Sequence, residues 1–154
     1  YSSKGNFYNL DNFNFDEFQN KFDMITVIGL LEYLDEEEFN SLLIKLYGVT
    51  KKGGKILFTT PNYRSSMFFL EKIANIVSSV NYTATHKTRY NYKLLHERFD
   101  ELSLGKFKII KFLNFGIFFS IFSLSIGKSV TSLIEKIFQN KVGYLFLIEL
   151  KKTD

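Results

Sequence analysis

Four residues have the side-chain chemistry of a small-molecule site and stand where such sites are usually found, after an apolar segment or in a loop. Glu32 and Tyr33 follow the apolar segment 22–29, and Asn62 follows the next such segment along the chain. His86 lies between two predicted helices, and a histidine can accept a proton near neutral pH. Tyr33 can donate a hydrogen bond or help to deprotonate a bound substrate. We therefore predict Tyr33 and His86 as catalytic residues, and Glu32 and Asn62 as substrate-binding residues.

Each of these residues also has a structural interpretation, which the sequence leaves open. Glu32 can favour the N-terminus of the next helix, with Tyr33 packed beneath it. Asn62 can be a turn residue, and His86 can be an incidental loop residue. His96 falls inside a predicted helix and is expected at the surface or in packing. Two histidines and scattered carboxylates do not form a ligand set, so we predict no metal site.

Alternating strands and helices are predicted to position these residues. Segment 22–29 is rich in β-branched residues and apolar almost throughout, as in a parallel strand covered on both faces. A helix follows, with Asp35 as its cap and an acidic first turn. The pair Gly53-Gly54 then breaks the chain before a second strand, KILFTT. A crossover of this length predicts a right-handed βαβ unit with parallel neighbouring strands.

The rest of the chain continues the alternation. Its predicted elements are a helix over 66–80, an ordered loop over 81–92, a helix over 93–104 that stops at Gly105, a strand over 107–116, a helix over about 128–139 and a strand over 143–152. This order predicts an α/β fold, a partial doubly wound Rossmann-like sheet that is mostly parallel.

The apolar stretch 112–126 lacks charge but is shorter than the roughly 20 residues that cross a bilayer. We predict that it is buried or interfacial and that the chain has no transmembrane segment. Peripheral contact with a membrane stays open.

Composition narrows the classes of protein. The 154 residues, 45% of them hydrophobic, suffice for one domain and are too few for two. The absence of cysteine removes disulfides, thiolate zinc sites and cysteine nucleophiles, and together with the lack of a visible secretory signal it allows a cytoplasmic location. The formal charge is +4, and the lysines are scattered rather than gathered into a basic stripe. We therefore predict no nucleic-acid partner.

Segment 22–62 resembles the middle of class I S-adenosylmethionine-dependent methyltransferases of the ubiquinone- and menaquinone-biosynthesis type. Its motifs are FD at the start of the first strand, LEY after that strand, KKGG before the second strand and TTPN at the end of it. Tyr33 replaces the family's usual histidine, and Lys52 replaces its usual proline. The resemblance is sharp over residues 11–62 and only architectural over 63–154. It implies that the last two strands form an antiparallel pair.

The same resemblance implies S-adenosyl-L-methionine as the cofactor. Asp11 has the family's spacing to Phe22, which implies that its carboxylate accepts from the adenine amino group and that the backbone amide of Asn12 donates to a ring nitrogen. Alternatively, Asp11 caps a turn. Gly29 and Leu30 stand at the carboxyl end of the first strand and are expected to line the cofactor cleft, although Gly29 can also serve only as a tight strand exit.

The family's glycine-rich loop, ExGxGxG, does not occur in these residues. We therefore expect residues 1–154 to be a single, N-terminally truncated methyltransferase domain, inactive as a fragment. The segment after the first strand lacks the Asp/Asn-Pro-Pro-aromatic pattern of enzymes that methylate amino groups of nucleic-acid bases. The resemblance thus implies methyl transfer to oxygen or carbon of a small molecule. The apolar helix after Pro61 and the Phe-rich stretch predict an apolar or lipid-linked acceptor.

Two other hypotheses stay open. The chain can be a non-catalytic Rossmann-like module that acts as a partner subunit. A nicotinamide-dependent oxidoreductase would need a G-x-G-x-x-G segment before the first strand.

Overall fold

The computed structural model of the chain describes residues 6, 8–65, 71–72, 75–76, 81–112, 123–138 and 143–153. The strands are β1 (Phe22–Ile28), β2 (Thr50–Pro61), β3 (Lys106–Phe112) and β4 (Leu145–Lys151). The helices are α1 (Glu36–Val49), α2 (Tyr82–Thr85), α3 (Tyr92–Leu102) and α4 (Leu124–Phe138). Short 3-10 helices cover Leu10–Asn12, Phe15–Phe18 and Leu31–Tyr33. Residues 71–72 and 75–76 are also helical.

The first strand, first helix and second strand form the predicted unit of two parallel neighbours. β1 pairs with β2 in parallel along most of its length. At the start of α1, the backbone N–H of Glu38 donates to Asp35 Oδ1 (3.0 Å), and the N–H of Asp35 donates to Glu38 Oε2 (2.8 Å). This reciprocal capping box satisfies two otherwise unpaired donors, and it confirms Asp35 as the cap.

The Gly53-Gly54 pair lies inside β2, whereas the sequence predicted a turn ahead of that strand. α1 passes directly into β2 at Thr50, and the pairing with β1 then jumps from Thr50 to Lys55 while β1 advances by two residues. The residues between them bulge out of the ladder. Gly53 has φ +73°, a conformation that glycine adopts without strain.

The sheet has the order β1-β2-β4-β3. β4 runs antiparallel to both β2 and β3, so the other three strands share one direction. This arrangement confirms the predicted α/β class, with a mostly parallel sheet and an antiparallel C-terminal strand pair. β4 is inserted between β2 and β3, so the last strand of the chain is central in the sheet.

The hydrophobic core lies on one face of the sheet, against α1 and α3. Alternate residues of a strand point to opposite faces, so each strand contributes every second side chain to this core. The central strands supply Ile56, Phe58, Phe146 and Ile148, and the helices supply Phe39, Leu43, Leu95 and Phe99.

The opposite face of β1 is open in the described part of the chain. Met24 is 57% exposed and Ile28 is 76% exposed. The expectation that this strand is covered on both faces is therefore wrong for these residues. Its apolar composition reflects burial of Ile25 and Val27 on one face, while Met24 and Ile28 on the other face are exposed.

The second half of the chain departs from the predictions in its boundaries. The predicted loop over 81–92 contains the single helical turn α2. Ser103, with φ +46°, ends α3 two residues before the predicted stop at Gly105. α4 begins at Leu124, earlier than predicted.

Several predictions fall partly outside the described residues. They are most of the helix over 66–80, the end of the strand over 107–116 and residues 113–122 of the apolar stretch. At the end of that stretch, Leu124 and Ile126 are exposed rather than buried.

Candidate active site

The carboxyl ends of β1 and β2 lie side by side. Ile28, the last residue of β1, pairs with Thr59. The N–H of Gly29 then donates to the carbonyl oxygen of Thr59 (3.3 Å) and lies equally close to its hydroxyl. The two strand ends that carry the predicted residues therefore form one edge, as ligand binding in an open α/β sheet requires.

Gly29 and Leu30 differ in how they meet this edge. Gly29 is exposed and has φ +59°, and a Cβ atom there would meet only Glu32 Oε1, at 3.7 Å. The backbone conformation, rather than lack of space, therefore favours glycine. Leu30 is half-buried against the core, and its carbonyl accepts from the N–H of Tyr33 (3.0 Å). Only Gly29 offers exposed backbone to a ligand.

Glu32 lies in the Leu31–Tyr33 3-10 helix and is 5% exposed. Its Oε2 accepts from the hydroxyl of Thr60 (3.1 Å), and its carbonyl accepts from the N–H of Thr88 (3.1 Å). Burial raises the pKa of the Glu32 carboxyl above its ordinary value, and hydrogen bonds to the carboxylate oppose that shift. Glu32 therefore joins β2 and the loop before α3, and it does not serve as an exposed acidic residue in the first turn of α1.

The two predicted catalytic residues are neighbours. The rings of Tyr33 and His86 meet edge to face, with 4.9 Å between their centroids. Tyr33 is half-buried, and the side chain of His86 is 7% exposed. They lie 53 positions apart in the sequence but share one place at the carboxyl edge.

His86 is held by two side chains that the sequence did not predict. Its Nδ1 lies 2.5 Å from the hydroxyl oxygen of Tyr63 and 3.5 Å from Glu71 Oε2. Glu71 is itself 5% exposed, and Oε1 of this carboxylate is 3.7 Å from the guanidinium of Arg89. A half-buried phenol and a buried carboxylate therefore lie beside one nitrogen of the imidazole, with the exposed Arg89 on the far side of the carboxylate.

Tyr63 connects the members of this group. Burial and the neighbouring Glu71 carboxylate raise the pKa of the Tyr63 hydroxyl well above its ordinary value. The Arg89 guanidinium lies over the Tyr63 ring, 5.9 Å from its centroid. The phenol therefore keeps its proton at neutral pH and is available as a donor.

Asn62 is used as a turn residue. Its Nδ2 donates to the carbonyl oxygen of Gly143 (2.8 Å), and its Oδ1 accepts from the N–H of Arg64 (3.2 Å). Its backbone N–H donates to the carbonyl oxygen of Tyr144 (2.7 Å). These bonds tie the end of β2 to the start of β4, which favours the structural interpretation over the predicted contact with substrate.

The predicted adenine-binding segment lies away from this edge. Asn12 belongs to the Leu10–Asn12 3-10 helix, and its N–H donates to the carbonyl oxygen of Asn9 (3.2 Å), so it is not free for a ring nitrogen. The side chain of Asp11 lies outside what the structure describes. The residues on either side of the segment line an apolar cavity of about 290 Å³ at the amino end of β1, with Phe22, Met24 and Val49. The structure thus does not bring Asp11 and Asn12 beside Gly29 and Leu30.

Two kinds of feature are absent from the described part of the chain. No group of three or more histidine and carboxylate side chains there could hold a metal ion. None of the helices described is both long enough and apolar enough to cross a membrane.

Sequence patterns gave little warning of Tyr63, Glu71 and Arg89. Tyr63 directly follows Asn62, and this position after a strand is the one available signal. Glu71 falls within a predicted amphipathic helix, where a single glutamate is ordinarily assigned to the exposed face. Its burial depends on a contact with His86, which is distant in sequence.

Comparison with known proteins adds information on the fold. No protein-family model matches the sequence, and no curated protein matches it significantly. Among solved structures, the chain resembles a SAM-dependent methyltransferase from Archaeoglobus fulgidus, with 20% identity over 90% of this chain and 63% of that one, and a TM-score of 0.56.

Two further solved structures have the same architecture. A possible histamine N-methyltransferase from Thermotoga maritima aligns at 12% identity over 88% of this chain and 58% of its own, with a TM-score of 0.54. A Haemonchus contortus phosphoethanolamine N-methyltransferase, solved with S-adenosylhomocysteine, aligns at 12% identity over 89% of this chain and 35% of its own, with a TM-score of 0.50. The chain therefore spans less than two thirds of each of these proteins, and it has the fold of class I SAM-dependent methyltransferases.

Proposed function

We propose that the protein transfers a methyl group from S-adenosyl-L-methionine to oxygen or carbon of a small, apolar or lipid-linked acceptor. One observation carries the proposal: predicted site residues from distant parts of the sequence gather at the carboxyl edge of a methyltransferase-like sheet, where such folds bind ligands. These residues are Gly29, Glu32, Tyr33 and His86.

Of the two residues predicted to line the cofactor cleft, Gly29 fits a place beside the cofactor, whereas Leu30 packs against the core. An exposed glycine with positive φ lets a ligand approach the backbone closely. A sulfonium is an activated methyl donor, so the main task of the protein is to align donor and acceptor. We also propose that residues 1–154 are the C-terminal part of one methyltransferase domain, since the glycine-rich loop is not among them.

Tyr33 and His86 are the groups that we assign to the acceptor. His86 is the base that takes a proton from an acceptor that must lose one, and Tyr33 donates a hydrogen bond beside it. Glu32 is buried, and its hydrogen bond from the Thr60 hydroxyl holds the Leu31–Tyr33 segment to β2.

An apolar acceptor is supported by α4. Ile126, Leu133 and Ile137 are all exposed, and their spacing of seven and four residues places them on one face of the helix. Lys128 and Lys136 are exposed on the same helix. Apolar side chains beside lysines suit peripheral contact with an anionic membrane, where a lipid-linked acceptor would be found.

The proposal is tested on the complete gene product that contains this chain. Calorimetry measures binding of S-adenosylmethionine, and mass spectrometry then follows methyl transfer to a panel of phenols, quinols, carboxylates and amines. Saturable cofactor binding and a methylated phenol, quinol or carboxylate are expected. Absence of cofactor binding with an intact glycine-rich loop would reject the function.

Two other outcomes separate the parts of the proposal. Cofactor binding without methyl transfer to any acceptor class favours the non-catalytic partner subunit. Methylation of amines alone overturns the assignment to oxygen or carbon while leaving the methyltransferase activity in place.

A further inference from the structure

One nitrogen of His86 is approached by two side chains, the half-buried Tyr63 and the buried Glu71. Tyr63 Oη lies 2.5 Å from Nδ1, and Glu71 Oε2 lies 3.5 Å from the same atom. A neutral imidazole has one N–H and one lone pair, so only one of its nitrogens can act as a base. Which nitrogen carries the proton follows from the partners of the ring.

The partners compete for the single proton of Tyr63. The hydroxyl can donate to the imidazole Nδ1 or to the Glu71 carboxylate, but not fully to both. Glu71 Oε2 lies 3.5 Å from the same Nδ1 that the Tyr63 hydroxyl approaches, and hydrogen bonds to a carboxylate are stronger than those to a neutral imidazole. Tyr63 therefore donates to Glu71, and the Tyr63 oxygen is left to accept from His86.

We propose that Glu71, acting through Tyr63, is a positioning residue that holds His86 in the tautomer with its proton on Nδ1. The chain of donors runs from His86 Nδ1–H to Tyr63 Oη, and from Tyr63 O–H to Glu71. The lone pair is then on Nε2, which is the nitrogen that can take a proton from the acceptor.

This inference rests on the proposed function. In the reaction, the acceptor loses its proton to His86 Nε2, its electron pair forms the bond to the methyl carbon, and the electrons of the carbon–sulfur bond stay on the departing thioether. The imidazolium formed has the Glu71 carboxylate close to Nδ1, which stabilises its charge as the carboxylate of a catalytic triad does.

The tautomer is measured directly by nitrogen NMR on the complete gene product labelled with ¹⁵N at histidine. A His86→Asn variant identifies the His86 signals. In the wild-type protein we expect Nδ1 to appear as an N–H nitrogen and Nε2 as a lone-pair nitrogen. An Nε2–H tautomer at neutral pH would overturn the inference without any further variant.

Glu71→Gln removes the charge while keeping nearly the same shape. The carboxamide is a weaker acceptor, so the Tyr63 hydroxyl is expected to turn to Nδ1, and the His86 proton is expected to move to Nε2. Glu37→Gln, the same change at an exposed position of α1, is the matched control and should leave both signals unchanged. An unchanged tautomer in folded Glu71→Gln contradicts the role of Glu71.

A kinetic measurement separates this role from a merely structural one. Once an acceptor is identified, Glu71→Gln should lower kcat by about 100-fold, the scale of general base catalysis, with KM and the cofactor Kd changed by less than about twofold. A switched tautomer with unchanged kcat would overturn His86 as the base. If the complete protein binds no cofactor, the proposed function fails, and the NMR result still decides the tautomer.

Discussion

The two edges of the sheet use polar side chains in opposite ways. At the amino edge, the Lys152 ammonium donates to Asn20 Oδ1 (3.0 Å) and to the carbonyl oxygens of Tyr47 and Thr50 (2.8 Å each). An ammonium has three donors, and all three have acceptors. Because these carbonyls belong to the end of α1 and the start of β2, Lys152 joins β4 to the βαβ unit.

At the carboxyl edge, buried ionisable groups are less well compensated by hydrogen-bond partners. Glu32 accepts a hydrogen bond from a neutral hydroxyl, that of Thr60, and burial raises its pKa. Glu71, His86 and Tyr63 are packed together behind it. Burying ionisable groups costs stability unless they are well paired, and proteins retain them mainly where they serve function.

The amino edge is therefore arranged for stability, and the carboxyl edge carries the buried ionisable groups that we propose for chemistry. Substitutions at the first should change the free energy of unfolding and leave ligand binding intact. Substitutions at the second edge should change ligand binding, whatever their effect on stability.

The largest effect on stability is expected at Lys152. Lys152→Met keeps the length of the side chain but removes three donated hydrogen bonds, and we expect it to lower the free energy of unfolding by about 3 kcal/mol, measured by urea denaturation. Lys151→Met, an exposed lysine next to it, is the control and should cost less than about 0.5 kcal/mol. Equal losses in the two variants would show that Lys152 does not join the elements as described.

Two glycines with positive φ, one at each edge, allow an effect on stability to be distinguished from an effect on cofactor binding. Gly29 has φ +59° at the carboxyl edge, and Gly53 has φ +73° at the amino edge. Because the left-handed region is strained for alanine, Gly29→Ala and Gly53→Ala should each lower the free energy of unfolding by about 1 kcal/mol. Only Gly29→Ala should weaken binding of S-adenosylmethionine, by about tenfold in calorimetry. Equal binding by both variants would remove Gly29 from the cofactor site.

Substitution of Glu32 should have a smaller effect of the opposite sign, an increase in the free energy of unfolding. A carboxyl whose pKa is raised by folding stabilises the fold below its ordinary pKa, and this contribution is lost as the pH rises through the raised value. Glu32→Gln keeps an acceptor for Thr60 and does not titrate. The variant should therefore gain stability over the wild-type protein as the pH rises from about 4 to about 7, reaching about 0.5 to 1 kcal/mol.

Urea denaturation of both proteins across this range measures the difference. Glu37→Gln, at an exposed position, should show no such trend. A Glu32→Gln variant that becomes less stable as the pH rises would show that the Glu32 carboxylate is better compensated than its hydrogen bonds suggest.

The local part of the fold could be predicted from the sequence. The cap at Asp35 depends on Glu38, three residues away, and the strand ends at Gly29 and Asn62 follow from apolar segments that can be seen directly. Parallel pairing then brings those ends together without any further information.

The remainder depends on contacts that leave no periodic signal. The bulge at Gly53 arises because the chain enters β2 straight from α1, and Glu71 meets His86 through a contact between residues 15 positions apart that no periodicity predicts. Position in the sequence suggested Asp11 for the cofactor, but aromatic packing holds its neighbours at the amino end of β1, where Phe13 stacks on Phe18 and Phe18 on Phe22.

The smallest effect on the free energy of unfolding is expected from substitution of Asp23. This residue belongs to the FD motif through which the sequence resembles methyltransferases. Asp23 Oδ2 lies 2.9 Å from Lys51 Nζ, but the two side chains are 82% and 46% exposed. Solvent screens such a pair, so Asp23→Asn should change the free energy of unfolding by less than about 0.5 kcal/mol, and added salt should reduce even that difference. Cofactor binding should also stay unchanged, because Asp23 is at the amino edge, a whole strand away from Gly29. A marked loss of binding in this variant would mean that the two edges are coupled, and the division between a stabilising edge and a chemical edge would fail.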